Sequence, residues 1–169
     1  MSGGRSPYSR YAIWLYNSCH MTGTLKSAPS RIADALGGRK VLRIRVRTPE
    51  DLIEATRIGL SYASFDAVRV RFEIKTELMT RLLDLPARTL ARRKHEKRFH
   101  TAESDRLVRL ARIGALAEDT LGSTRKAARW LQAPNRALAG EAPLSRLDTD
   151  VGAREIEDLL LRIVYGVYS

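Results

Sequence analysis

The 169-residue sequence predicts a mainly α fold, with one short strand near the amino terminus. Three observations carry this. From residue 48 onward apolar residues recur at helical spacing, and Ser, Thr, Gly and Pro punctuate each run where a helix must start or stop. Strict alternation, the mark of a strand, is confined to residues 41–47. With 44% apolar residues the chain can bury the core of one domain or two small ones, which sets wholesale disorder aside.

Taken in order, Ser30 can cap a short helix over 31–36, which Gly37 and Gly38 stop. In Val41-Leu42-Arg43-Ile44-Arg45-Val46-Arg47, three branched residues alternate with three arginines, as in a solvated edge strand or a phosphate-tracking arm. Thr48 as N-cap, Pro49 at the first helical position and Asp51 three residues after the cap predict a helix ending near Gly59. A second helix over 61–72 carries Phe65, Val68 and Phe72 on one stripe, and a third over 76–83 carries Leu78 and Leu82. Asp84, Leu85 and Pro86 break it, and a basic fourth helix runs over 87–97. Thr101 then caps a long helix over 102–121, which Gly122 ends. Ser123 or Thr124 starts the next, through Ala127 and Leu131. Pro134-Asn135 restarts a short helix that Gly140 ends, and 143–147 adds a turn. The last helix starts at Thr149 with Ile156, Leu159, Leu160 and Ile163 on its apolar face, and beyond Gly166 an exposed tail is expected.

Thirty Lys and Arg against 19 Asp and Glu leave a net charge of +11, which favours an anionic partner, nucleic acid foremost. The excess is uneven: +8 over 1–49, +5 over 86–100 and −3 over 141–169, a division that suggests two working surfaces. A single cysteine, Cys19, excludes an internal disulfide and makes a reducing cytoplasm the default. No stretch approaches the ~18 apolar residues of a membrane span. Residues 1–29 read as a flexible arm, the first 20 untranslated if Met21 is the true start.

Enzyme chemistry finds little to build on. His20, His95 and His100 lack partners at metal-ligand spacing, and Gly37-Gly38 lacks the rest of a phosphate-cradling loop. Neither catalysis, metal nor cofactor is expected. The basic helix is more informative: with Leu90 anchored in the core, Arg88, Thr89 and Arg92 project from its amino-terminal half, where a recognition helix meets base edges. Lys94, Lys97 and Arg98 would meet phosphates. The candidate DNA-contacting residues are Arg88, Thr89, Arg92, Arg93, Lys94 and Lys97; a surface helix that happens to be basic is the simpler alternative.

Arg88-Thr89-Leu90-Ala91-Arg92-Arg93-Lys94, Glu103-Ser104-Asp105-Arg106-Leu107, Ala128-Arg129-Trp130-Leu131, Pro134-Asn135-Arg136-Ala137-Leu138, Gly140, Pro143-Leu144 and the ending Gly166-Val167-Tyr168-Ser169 form an ordered series. Over residues 30–169 it closely resembles the Xre/MbcA/ParS-type antitoxins of bacterial RES–Xre toxin–antitoxin modules. The resemblance implies an Xre-like helix-turn-helix DNA-binding and dimerisation region over 30–100 and a helical toxin-binding domain over 101–169. It implies a homodimer on operator DNA that represses its own operon, and a RES-domain, NAD-consuming toxin as partner. The carboxy terminus of these antitoxins reaches toward the toxin's active-site cleft, so Tyr165, Gly166, Val167, Tyr168 and Ser169 are the candidate plug. Trp130 and Asn135 match the toxin-binding motif, although their chemistry equally suits a core anchor and a helix-end cap. Asp84 stands where a glycine often makes the helix-turn-helix turn, and aspartate tolerates the left-handed conformation better than most residues. A helix-turn-helix regulator without a toxin is the alternative.

Overall fold

The computed structural model describes residues 28–165, of which about 74% are helical. The described α-helices are α1 (Ala28–Ala35), α2 (Gly38–Leu42), α3 (Pro49–Ile58), α4 (Tyr62–Arg71), α5 (Thr76–Leu82), α6 (Ala87–Glu96), α7 (Thr101–Leu121), α8 (Thr124–Gln132) and α9 (Asp150–Tyr165). Two 3-10 turns, Arg136–Leu138 and Pro143–Arg146, lie between α8 and α9.

Capping chemistry sets several of these boundaries. At α3 the Asp51 N–H donates to Thr48 Oγ1 at 3.2 Å, while the Asp51 carboxylate accepts from the N–H groups of Thr48 at 2.9 Å and Arg47 at 2.8 Å. Those two backbone donors hold the Asp51 carboxyl below the usual carboxylate range. Ser123 Oγ accepts from Lys126 N–H to start α8, and Thr149 Oγ1 accepts from Gly152 N–H to start α9. Gly122 closes α7 in the left-handed conformation.

Four local expectations give way. The alternating stretch forms no strand: Gly38–Leu42 is helical, Arg43 turns left-handed at φ 60°, and of Leu42, Ile44 and Val46 only Val46 is buried. A strand needs a ladder partner, and among the described residues the only β pairing is an isolated bridge between Ser61 and Arg98. Ser30 stands inside α1 rather than before it. Thr101 is the first residue of α7, its hydroxyl donating to Arg57 O; His100 precedes it, with its N–H donating to Glu103 at 2.8 Å. The short turn after Asn135 ends at Ala139, itself left-handed, one residue before Gly140.

Helix α7 is the axis on which α1, α3, α4, α8 and α9 pack. Its Leu107, Leu110, Ile113 and Ala117 are fully or almost fully buried, facing Phe65, Phe72 and Phe99 in one continuous core. Gly114 lets the Phe72 ring come against the helix, because a Cβ there would stand 2.2 Å from that ring. The Phe72 carbonyl in turn accepts from Gln132 Nε2 at 2.9 Å, tying α8 to the end of α4.

Candidate nucleic-acid and partner interfaces

Helices α5 and α6 meet through the turn at 83–86. Asp84 adopts φ 49°, the left-handed conformation expected of a glycine there, and Leu85 N–H donates to Thr80 O at 2.8 Å. Arg106 on α7 clamps this turn from behind: Nη1 donates to Leu83 O at 2.9 Å and Nη2 lies 3.3 Å from the Asp84 carboxylate.

The far end of α6 is fastened just as firmly. Phe99 N–H donates to Leu60 O at 2.8 Å, Tyr62 N–H to Lys97 O at 3.0 Å, and Leu60 N–H to the fully buried Ser104 Oγ at 2.8 Å. Gly59, at φ 96°, permits the approach, since a Cβ would meet Phe99 O at 2.3 Å. Tyr62, Phe65 and Phe99 then cluster with ring centroids 5.4–5.9 Å apart. A helix held at both ends presents its outer face as a rigid surface, which suits positioning on a duplex.

On that face Arg88, Arg92, Lys94 and Lys97 are exposed and Thr89 is half-buried. Arg88 and Arg92, four residues apart, share one side. Arg92 has one long, exposed ion pair to Glu96 at 3.8 Å, which costs little to open. Arg93 does not belong with them. It is 3% exposed and lies three residues from the core anchor Leu90; its Nε donates to both Glu103 oxygens at 3.0 and 2.7 Å, and its Nη1 to Glu96 at 2.6 Å. Those bonds, the one to Glu103 foremost, raise the Arg93 pKa, so its charge is spent inside the protein. The spacing from Leu90 to Arg93 carried this signal in the sequence. What hid it was the identity of the residue, because an arginine reads as surface until its buried carboxylates are known.

Beyond the middle of α7 the character changes. Arg71 forms a paired contact with the buried Glu118, Nε and Nη2 each donating at 2.7 Å, and Arg31 pairs with Asp119. Arg112 lies 3.0 Å from Glu157, joining α7 to α9, where burial pushes the Glu157 carboxyl up. Trp130 is half-buried and packs on the core, while the Asn135 side-chain oxygen accepts from Ala137 N–H at 2.9 Å. Both thus have structural duties. Tyr165 closes α9; Gly166, Val167, Tyr168 and Ser169 lie outside the described residues.

The turn, the clamped basic helix and a second helical region sharing α7 define a helix-turn-helix protein with an appended helical domain. Residues 51–112 match the antitoxin Xre-like helix-turn-helix domain, and residues 116–166 match the antitoxin Xre/MbcA/ParS C-terminal toxin-binding domain. A protein named Antitoxin Xre from Yersinia enterocolitica is 33% identical over 120 residues, 70% of this chain and 81% of that protein. Antitoxin Xre from Pseudomonas putida is 40% identical over 83 residues, 48% of this chain and 52% of the relative. Antitoxin Xre from Photorhabdus laumondii is 36% identical over 91 residues, 53% and 62%. The chain belongs to the Xre antitoxin family. Among the described residues no helix is long and apolar enough to cross a membrane.

Proposed function

We propose that this protein neutralises a cognate RES-domain toxin that consumes NAD and, as a cytoplasmic homodimer on operator DNA, represses its own operon. The observation that carries the reading is the tandem match of a helix-turn-helix segment and a toxin-binding segment to the two ends of one shared helix, α7. Arg88 and Arg92 read bases, Arg88 and Arg92 being able to donate two hydrogen bonds each to guanine, and Lys94 and Lys97 grip phosphates. Tyr165, Gly166, Val167, Tyr168 and Ser169 enter the toxin's cleft, where Tyr168 offers contact area at low entropy cost and the terminal carboxylate meets cationic groups. Trp130 and Asn135, which match the toxin-binding motif, contribute to the surface that meets the toxin.

Co-expression with the product of the neighbouring gene tests this. Growth arrest by that product should be relieved by the full chain and not by a chain lacking residues 167–169, which should still bind DNA. Full rescue by the shortened chain overturns the plug, and a neighbouring gene without a RES domain favours a regulator acting without a toxin.

A further inference from the structure

Residues 39–47 carry five cations, Arg39, Lys40, Arg43, Arg45 and Arg47, with no acidic residue among them. All five are exposed. Among the described residues, Arg39, Lys40, Arg43 and Arg45 have no carboxylate at ion-pairing distance. This segment is nevertheless ordered by its neighbours: Leu42 packs on the core, Val46 is 5% exposed, and Arg47 N–H is bonded to Asp51 at 2.8 Å. A buried residue thus fixes a segment, the end of α2 and the loop after it, on which Arg39, Lys40, Arg43 and Arg45 face water as one cluster of like charge that an anionic partner would neutralise.

The loop leads straight into α3, and α3 ends against the carboxy-terminal end of α6, where Arg98 Nη1 donates to Ile58 O at 3.2 Å. Ten helical residues span about 15 Å, comparable to the ~12 Å width of a DNA major groove. Helix α3 therefore separates the basic segment before it from the carboxy-terminal end of α6 by about one groove width. The next acid after the loop, Glu50, is followed by Asp51, whose carboxylate is turned back onto the α3 cap. Within 39–47 itself Ile44, at 40%, is the one exposed large apolar residue, although Ile53 and Ile58 on α3 are also exposed, so a lipid surface is the alternative that the test must separate.

We propose that the 39–47 segment, the end of α2 and the loop that follows it, is a second contact surface for the phosphate backbone of duplex DNA, acting beside the recognition helix and outside the matched helix-turn-helix segment, which starts at residue 51. The inference rests on the DNA-binding reading of α6, and its test separates the two. The full chain is titrated against a labelled duplex from upstream of its own gene, and against a scrambled duplex, over a series of salt concentrations. A variant combining Arg39→Gln, Lys40→Gln, Arg43→Gln and Arg45→Gln keeps the side-chain stems and removes the charge. Its plot of log affinity against log salt should be shallower by about three to four, with the ratio of specific to scrambled binding and the melting temperature unchanged. An unchanged slope overturns the loop proposal. Arg92→Ala supplies the other arm: loss of sequence preference with a retained slope upholds the helix. If instead Arg92→Ala changes nothing while the glutamine variant loses slope, the loop stands and the recognition-helix reading fails. No affinity of the parent chain for either duplex overturns both readings, and binding of phosphatidylglycerol vesicles that outcompetes DNA through the same four residues overturns the 39–47 proposal.

Discussion

Two arginine–glutamate pairs, one at the amino-terminal end of α7 and one at its middle, each join it to a neighbouring helix through a buried glutamate, yet they are built differently. Near the amino-terminal end, Glu103 accepts from Arg93 and from the His100 N–H, and Arg93 is also bonded to Glu96. Burial pushes the Glu103 carboxyl up, but these donors outweigh it and hold the group below the usual carboxylate range. At the middle of α7, Glu157 on α9 has one contact with Arg112, and Asp158 and Asp150 add repulsion, so burial prevails and its carboxyl is raised. A buried carboxylate therefore strengthens a fold only where its lone pairs are filled. The helix-turn-helix side is locked onto α7 by charge, whereas α9 is held to it chiefly by Ala153, Ile156 and Leu160.

Breaking the better pair should have the largest effect. Glu103→Ala leaves Arg93 buried without its main partner and should cost about 3–5 kcal/mol, read by chemical denaturation. The double change Arg93→Met with Glu103→Leu should recover most of that loss; failure to recover would mean that the pair does more than satisfy itself. Gly114→Val drives a branched side chain into the Phe72 ring at the point both regions share, and should cost about 1–3 kcal/mol.

Adjacent arginines on α6 sharpen the contrast between structural and functional charge. Arg92→Ala should leave the melting temperature unchanged while reducing discrimination between operator and scrambled duplex by about 1–3 kcal/mol. Unaltered discrimination in a DNA-binding assay would remove Arg92 from the reading surface. Lys97→Ala should weaken all duplexes alike and lower the salt slope by about one.

The smallest effects are in pH dependence, and the two glutamates should move it in opposite directions. Glu103, with its folded pKa lowered, contributes stability that is present above the unfolded value near 4.3 and is lost as pH falls through the folded value. Glu157, with its folded pKa raised, favours the folded state when protonated, so that contribution is full below about 4.3 and is lost as pH rises through the folded value. Glu103→Gln should accordingly flatten the acid limb of a melting-temperature profile. Glu157→Gln should flatten the limb above it, with a gain at neutral pH of between nothing and about 1 kcal/mol.

Local chemistry made most helix boundaries legible. Thr48-Pro49 with Asp51, Ser123, Thr149, Gly59 and Gly122 act within one turn of themselves, and each stands at the boundary expected of it. Asp84 likewise turns the chain left-handed between α5 and α6. Alternation at 41–47 misled because a strand depends on a partner that local spacing cannot supply, and Leu42 found the core from a helix instead. At the candidate surface, composition identified the basic helix but could not sort its arginines.

By itself, then, the sequence determined the order of helices from α3 onward, the turn that pairs α5 with α6 and the basic character of α6, since propensity, capping and charge act over a few residues. Tertiary structure alone decided that Arg93 is internal and Arg92 external, that Gly114 seats Phe72, and that Arg43, Arg45 and Arg47 ride on a loop fixed by Val46. Those outcomes depend on contacts such as Arg93 with Glu103 and Arg71 with Glu118. Only when distant segments share a low-dielectric interior does the same side chain become a fastening rather than a solvated charge.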